Sequence, residues 1–538
     1  MSAVNLEGKK ALIVDDMLEM RSIMRTMLSE LGCYDIVLAK DGTEAIDEML
    51  LQKFDIILCD YNLGSGKDGQ QVMEEAMHRD IMYSSTIFIM VTAENKAQMV
   101  MGAIEMQPDA YLNKPLNKKV LQTRLQSLLL KKQAMRPIHD AVDRQDYNEA
   151  LEKCDKELQK KPKNRNDLLK IKSQIYLALG KYDEVEHLCS SLIAEREILW
   201  AMFDLARVYY YREEYEDAVI VFTKVVKLNS GFISAYDWLA RAQQKVGNLN
   251  GAQRTLEDAV DLSPKSLVRQ RALAEIAEEN DDYSTAERAR KRAVSVGRGS
   301  VLRESSDYSS LARAQIKIQA TNEAMKTVGS MESEFEGDLQ AKIEASVTLC
   351  SIYEAAGDKK SSVETLEKSL QLAKKYPQYV TADVGVELAT NCIANNRQED
   401  ADRMIEEVVK NNHENEQVLK KVANIYNQEV NSEKGEELIK DIKEKIIKIN
   451  NDGVELIRQG KLDEAIELFT QAAKGMPRNA IINLNAAQSI IMFMKQNKPT
   501  RPDVVKAMKH IDMAGRSEKH QLWINKLRSE CQKLIAKI

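Results

Sequence analysis

The sequence contains few of the residues that interrupt regular secondary structure. Glycine (22) and proline (9) together make up 31 of the 538 residues, about half of the share that is usual in globular proteins. Aromatic residues make up only 5%. We therefore predict a mostly helical protein with short connections. Charged residues (30%) and hydrophobic residues (44%) occur in the proportions of a globular chain rather than a disordered one.

Cysteine and histidine are also sparse, and they do not cluster. The seven cysteines stand singly without a CxxC pair, and the six histidines are dispersed. An odd number of cysteines argues against a disulfide framework, and no zinc-ligand spacing is visible. We expect reduced and mostly buried thiols in a cytosolic protein.

Long apolar runs are missing as well. No stretch approaches the ~18 apolar residues that a membrane-spanning helix needs. The first ten residues, MSAVNLEGKK, lack the apolar core of a signal peptide. We expect a cytoplasmic protein that does not contact a membrane.

A basic region is missing too. Residues 1–125 carry 13 basic and 19 acidic side chains, a difference of −6, and the rest of the chain carries 64 of each. Proteins that bind nucleic acid usually carry a local excess of lysine and arginine. We therefore do not expect a nucleic-acid partner.

The first 125 residues alternate short apolar runs with amphipathic stretches, in a chain too long for one hydrophobic core. The predicted strands lie within residues 9–16, 34–39, 54–60, 85–93 and 109–115, and the predicted helices within 17–31, 41–52, 69–80 and 96–105. This alternation predicts an α/β fold of the doubly wound type, with a five-stranded parallel sheet.

Polar residues stand where these strands end: Asp15 and Asp16 after the first, Asp60 at the third, Thr92 at the fourth and Lys114 at the fifth. Ligands of parallel α/β sheets bind beyond the carboxyl ends of the strands. Three carboxylates at this edge would repel one another unless a cation joined them, and Mg²⁺ suits a few oxygen ligands. The alternative is that each aspartate only caps a helix.

The paired acids, the single aspartate after IIL, the VTA and the KP resemble, in order and context, the receiver domain of response regulators, over residues 7–130. The resemblance implies that Asp60 accepts a phosphoryl group from a phosphohistidine. It implies that Mg²⁺ binds Asp15, Asp16, Asp60 and the backbone carbonyl of Asn62. Lys114 would pair with the phosphoryl group, and its bond to Pro115 is cis in the family.

The same resemblance implies a switch. Thr92 would move toward the phosphoryl group and Tyr111 would rotate inward, which changes the face formed by the fourth helix, the fifth strand and the fifth helix. Receivers often dimerise through this face, so a homodimer stays open. Asn62 and Glu94 occupy the positions that influence hydrolysis of the acyl phosphate, and their polar character resembles that of fast-resetting chemotaxis receivers. We expect a short-lived phosphorylated state.

The segment CDYNLGSGKDGQ (59–70) also resembles a nucleotide-binding loop, because Gly64-Ser65-Gly66-Lys67 has the letters of one. A P-loop reads GxxxxGK[ST]. Here Tyr61 stands at the first glycine position, and Asp68 replaces the hydroxyl residue that would hold Mg²⁺. The segment is better explained as a long, proline-free turn between the third strand and the third helix.

Residues 131–515 contain an internal repeat. Short phrases such as RQDYNEA, LGKYDEV, REEYEDA and RQGKLDEA recur, mostly at intervals of 33 to 38 residues. They resemble the tetratricopeptide repeat, a pair of antiparallel helices. We predict about 10 to 11 repeats in 131–515 and a capping helix in 516–538. The last helix of the receiver, within 1–130, would run on toward the first repeat until Pro137 interrupts it.

Repeat arrays of this type bind ligands in a concave groove. In the family's register Arg207, Arg241 and Arg313 share one groove-facing position, and Tyr210 and Tyr211 occupy neighbouring ones. Arginine and aromatic side chains are frequent anchors of protein interfaces. The alternative is that the arginines are solvated charges and the tyrosines fill the contacts between repeats.

These resemblances imply a two-component response regulator and adaptor. A histidine kinase or phosphotransfer protein would phosphorylate Asp60, and the receiver would change what the repeat array binds, an unknown protein. The alternatives are a receiver-controlled regulator that binds DNA or RNA, and an enzymatic output. No catalytic constellation appears after residue 130, so we expect no enzyme activity beyond the receiver's own phosphotransfer and autodephosphorylation.

Overall fold

The computed structural model describes residues 6–93, 108–160, 162, 164–429, 432–515 and 520–535. They form two compact units, Met1–Asp307 and Tyr308–Ile538. The first unit contains a sheet domain followed by the first part of a helical array, and the second unit is helical in its described residues.

The sheet domain has five parallel strands in the order β2-β1-β3-β4-β5. The strands are β1 Lys10–Val14, β2 Asp35–Ala39, β3 Ile56–Asp60, β4 Ile87–Thr92 and β5 Ala110–Asn113. Every residue of β3 and β4 is buried, as expected of parallel strands covered on both faces. The predicted fold class is confirmed, and the strand order reverses between β1 and β3, where α/β sheets bind ligands.

Three helices of this domain lie where the sequence predicts them. They are α1 Leu18–Ser29, α2 Gly42–Leu51 and α3 Gly69–His78. The helix predicted in 96–105 lies outside the described residues, as does Glu94. The next helix described is therefore α4, Lys118–Asp143.

Helix α4 corrects one expectation, because Pro137 lies inside it and does not interrupt it. Proline removes a hydrogen bond to the carbonyl four residues earlier. That carbonyl belongs to Gln133, and both Gln133 and Pro137 are exposed, so water can replace the missing donor. On the opposite face Met135 and Ile138 are buried in a cluster with the next two helices, and this packing favours a continuous helix.

The array consists of antiparallel helices joined by short turns. In the first unit they are α5 Tyr147–Gln159, α6 Arg165–Ala178, α7 Tyr182–Glu195, α8 Leu199–Tyr211, α9 Tyr215–Leu228, α10 Ile233–Lys245, α11 Leu249–Leu262, α12 Leu267–Glu279 and α13 Tyr283–Gly297. Helix α14, Ser306–Lys317, contains the boundary between the units.

The second unit continues the array. Its helices are α15 Thr321–Glu334, α16 Leu339–Ala355, α17 Lys359–Lys375, α18 Ala382–Ala394, α19 Gln398–Asn412, α20 Glu416–Glu429, α21 Ser432–Arg458, α22 Leu462–Gly475, α23 Ala480–Gln496, α24 Arg501–Met513 and α25 Gln521–Ile535, with a 3-10 turn at Pro377–Tyr379.

The recurring phrases mark where the second helix of each pair begins. Their last residues are fully buried, at Ala150, Val185, Ala218, Ala252, Ala286, Ala324, Ser362, Ala401 and Ala465. The turn before each helix contains a residue with positive φ, at Gln145, Gly180, Glu213, Gly247, Asp281, Gln319, Gly357, Asn396 and Gly460. Five of these nine turns use a residue other than glycine, which is one reason why the sequence needs so little glycine.

The repeat with the best match to the family pattern, residues 446–479, contains the end of α21 and all of α22. A Cβ atom on Gly453 would lie 2.2 Å from the ring of Phe469, whose side chain is fully buried. Only glycine allows this close approach of the two helices. Helix α21 starts well before this repeat, at Ser432, so the exact number of repeats stays a prediction.

The C-terminal helix α25 lies within the predicted capping segment. Its buried residues Ile524, Leu527, Cys531 and Leu534 belong to one cluster with residues of α23 and α24. The helix thus packs on α23 and α24, and its role as a cap of the array stays a prediction.

The seven cysteines are unpaired and buried. Burial raises the pKa of Cys33 to about 11 and that of Cys392 to about 12. Within the part of the chain that the structure describes, no helix has the length and apolar character to cross a membrane.

Candidate phosphorylation site and repeat groove

Three aspartates meet at the carboxyl edge of β1 and β3. A carboxylate oxygen from each of Asp15, Asp16 and Asp60 lies within 4.8 Å of the others. Asp15 is fully buried and Asp60 is 5% exposed, whereas Asp16 is exposed. One exposed acid thus lies beside two buried ones.

Lys114 joins the two buried aspartates. Its Nζ donates hydrogen bonds to Asp15 Oδ2 at 2.8 Å and to Asp60 Oδ2 at 2.7 Å. The residue is positioned from β4, since its backbone N–H donates to the carbonyl of Thr92 at 2.8 Å. The bond between Lys114 and Pro115 is cis, as the family resemblance implied.

The charges at this edge depend on one another. Burial raises the pKa of Asp60, and the hydrogen bond from Lys114 offsets part of that rise. Burial lowers the pKa of Lys114, but the hydrogen bonds to Asp15 and Asp60 outweigh it, so that the pKa is raised. Lys114 therefore stays protonated and favours the carboxylate form of Asp60, which a nucleophile requires.

The donor set fits Mg²⁺. The three carboxylates supply hard oxygen ligands, and Mg²⁺ binds through few carboxylates while it keeps several waters. Asp15 Oδ1 already accepts from the backbone N–H of Met17 at 2.9 Å, which fixes the orientation of this carboxylate. Asn62 is exposed, and its side chain accepts from Gly64 N at 3.3 Å.

The loop between β3 and α3 is a turn rather than a nucleotide-binding loop. Lys67 forms an ion pair with Glu75 at 3.4 Å. Asp68 caps α3, because its side chain accepts from the backbone N–H of Gln71. At Gly69 an added Cβ would lie 2.3 Å from the carbonyl oxygen of Asp60. The start of α3 is thus packed directly against the predicted phosphoacceptor.

The two predicted switch residues lie on β4 and β5. Thr92 is 5% exposed. Tyr111 packs against the cluster formed by one face of the sheet with α2 and α3. Its hydroxyl is buried and has no hydrogen-bond partner among the described residues, and burial raises its pKa above the ordinary value. In this structure the hydroxyl of Tyr111 is already away from solvent.

The structure brings together four of the five predicted groove residues. Arg207, Tyr210 and Tyr211 lie on α8, and Arg241 lies on α10. They surround Trp238, which the sequence reasoning did not select. The Arg207 guanidinium lies 5.1 Å and that of Arg241 5.3 Å from the centre of the Trp238 ring. Such cation–π contacts hold two positive charges at one aromatic surface.

This arginine–aromatic cluster, centred on Trp238, includes one further residue. Tyr182 stacks on Tyr211 with ring centres 5.5 Å apart. The Nε of Arg207 is buried and has no acceptor within the described residues, although Nη1 of the same guanidinium lies 3.6 Å from Asp204 Oδ1. Tyr211 is 41% exposed. The spacing of Trp238 three residues before Arg241, on one helical face, is the signal that could have identified it.

The fifth residue predicted to line the groove, Arg313, lies in the second unit. It donates to Glu387 Oε2 at 2.9 Å and to Ser310 Oγ at 2.8 Å. Its charge is therefore used within the array, between α14 and α18.

Comparison with known proteins assigns the sheet domain. Residues 11–126 match the family model for the response regulator receiver domain. The chemotaxis protein CheY of Pseudomonas aeruginosa is 31% identical over 119 residues, which are 22% of this chain and 94% of that protein. The chain belongs to the response regulator receiver family. The receiver is also similar to CheY-3 of Vibrio cholerae, with 28% identity over 24% of this chain and 97% of that protein.

The array of this response regulator has its own match. Residues 132–257 match the family model for the N-terminal TPR repeats region of Psidin. Among solved structures, a tetratricopeptide repeat protein from Parabacteroides merdae is 16% identical, over 50% of this chain and 98% of its own, with a TM-score of 0.30. The two family models confirm the predicted combination of a receiver and tetratricopeptide repeats.

Proposed function

We propose that this response regulator is phosphorylated on Asp60 and thereby changes which protein its repeat array binds. The observation that carries the first part is the geometry at the carboxyl edge of the sheet, where Lys114 spans Asp15 and Asp60 and Asp16 faces solvent. The donor is a histidine kinase or a phosphotransfer protein, as the receiver family implies. The unpaired thiols support a reducing, cytoplasmic location.

The residues divide the chemistry among them. Asp60 supplies the nucleophilic carboxylate, and Lys114 neutralises charge on the phosphoryl oxygens. Asp15, Asp16 and the carbonyl of Asn62 would hold Mg²⁺ together with Asp60, and the bound ion would stabilise the charge that develops in the transfer. Thr92 and Tyr111 respond to the phosphoryl group. Asn62 and Glu94 set the lifetime, with Glu94 outside the described residues.

The array supplies the partner site. The cluster around Trp238 presents two guanidinium groups and an exposed tyrosine. Its charge and flat rings suit an acidic segment with apolar side chains, because arginine binds carboxylates and aromatic side chains supply contact area. We propose a protein ligand of this chemistry.

Affinity capture tests the proposed function. The full chain is immobilised and exposed to lysate of its native host with and without Mg²⁺ and beryllofluoride, which mimics the phosphorylated aspartate. We expect one protein to be enriched in a beryllofluoride-dependent way and lost from Arg241→Glu. Arg254→Glu, at an exposed arginine on α11, is the matched control and should retain it. The same captured set in every condition would contradict the proposal.

A further inference from the structure

The loop that follows Asp60 contacts the array. Lys265, between α11 and α12, donates from Nζ to Asp68 Oδ2 at 2.8 Å and lies 4.8 Å from the centre of the Tyr61 ring. Burial lowers the pKa of Lys265, but the carboxylate of Asp68 outweighs this and raises it. The amine is thus a fixed positive charge beside the β3–α3 loop.

A second contact lies one turn further along α3. Gln71 Nε2 donates to the carbonyl of Val296 at 3.1 Å, and Ser300 Oγ donates to Glu74 Oε2 at 2.6 Å. A Cβ on Gly299 would lie 2.5 Å from Gln71 Oε1, so glycine at 299 permits the close approach. We call these contacts the α3 dock. It comprises Tyr61, Asp68, Gln71 and Glu74 on the receiver and Lys265, Val296, Gly299 and Ser300 on the array.

The α3 dock shares its polar groups with the start of α3. Asp68 Oδ1 accepts from Gln71 N, and Gln71 Oε1 accepts from Asp68 N, both at 3.0 Å. This reciprocal capping leaves Asp68 Oδ2 and Gln71 Nε2 for the array, which uses both. The start of α3 and the α3 dock form one hydrogen-bond network, so a movement of the helix start changes the hydrogen bonds of the dock, and the reverse is also true.

The loop between the two anchored ends reaches the acid cluster. At its first end Tyr61 N donates to Val91 O at 2.8 Å, and at its last end Asp68 is held by Lys265. Between them Gly64 lies against Asp16, with Oδ2 3.2 Å from where a Cβ would be. If a ligand at the three aspartates also binds the carbonyl of Asn62, the β3–α3 loop has to change its conformation while both of its ends are held.

We propose that the α3 dock is an intramolecular inhibitory contact, which restrains the β3–α3 loop and is weakened when Asp60 is phosphorylated. This inference rests on the proposed function at Asp60, and it adds the contact through which phosphorylation would affect the array. It differs from the face of the fourth helix, fifth strand and fifth helix that the family resemblance indicates. Since coupling between two sites is reciprocal, weakening the dock must favour the phosphorylated state.

The test measures binding of beryllofluoride at saturating Mg²⁺ to the full chain by calorimetry. Lys265→Ala removes the positive charge of the ion pair. Asp68→Asn removes its negative charge and keeps a residue that can cap the helix. Each variant is expected to bind about two- to five-fold more tightly, the range for a partly exposed ion pair. Lys265→Arg should bind as the unsubstituted protein does. So should Lys224→Ala, whose lysine pairs with Glu197 at 2.6 Å within the array.

Equal or weaker binding by both Lys265→Ala and Asp68→Asn would overturn the inhibitory dock and leave the proposed function intact. If the unsubstituted protein does not bind beryllofluoride, the proposed function fails and the inference fails with it. Beryllofluoride binding by the unsubstituted protein distinguishes these two failures.

Discussion

Replacing Asp60 by asparagine is expected to abolish the incorporation of a phosphoryl group from acetyl phosphate in the presence of Mg²⁺. The amide is not a nucleophile, and both oxygens of the other buried carboxylate, Asp15, already accept hydrogen bonds, from Met17 N and Lys114 Nζ. We expect a loss of at least about 100-fold, the size typical for removal of a group that takes part directly in the reaction. Intact-mass spectrometry after a short incubation gives the measurement.

The matched control is Asp80→Asn. Asp80 has a positive φ of 55° in the turn after α3, a conformation that asparagine also adopts readily. This variant should be phosphorylated like the unsubstituted protein. Normal incorporation in Asp60→Asn would mean that another carboxylate accepts the phosphoryl group.

Gly69→Ala is expected to destabilise the receiver by about 3 kcal/mol, at the upper end of the range for overpacking. The added Cβ would meet the carbonyl oxygen of Asp60 at 2.3 Å and Met90 Sδ at 3.0 Å. Backbone cannot yield as a side chain does, so the start of α3 or the end of β3 must shift. We also expect slower phosphorylation, because Asp60 moves. Hydrogen exchange of β3 and α3 measures the local stability.

Gly329→Ala is the control for this substitution. Gly329 lies inside α15 with open space around it, so alanine should stabilise the helix by about 0.5–1 kcal/mol. Unchanged protection of β3 and α3 in Gly69→Ala would contradict the close packing behind Asp60.

The sequence was sufficient to predict the sheet and its acidic edge. The short apolar run IILC, in a chain segment that alternates with amphipathic stretches, favours a buried strand, and Asp60 then lies at the edge where Asp15 and Lys114 also lie. The repeat phrases were informative for a similar reason. A small buried residue such as Ala218, four residues into each second helix, is required by the packing of the pair.

Other features depend on packing that no local pattern records. Pro137 predicts a helix end, but its exposed position lets water replace the lost donor. The α3 dock joins residues 197 positions apart, Asp68 and Lys265, and each has an ordinary local explanation as a cap or a turn charge. In the sequence, Trp238 has the ordinary explanation of a residue packed between helices, and only the structure shows the two arginines beside its ring.

Hydrogen exchange of the full chain, with and without Mg²⁺ and beryllofluoride, measures directly whether phosphorylation of the receiver reaches the array. We expect faster exchange at residues 263–303, together with changes at 60–74, and neither change in Asp60→Asn. A response confined to residues 6–93 and 108–130 would contradict the claim that this receiver controls its array.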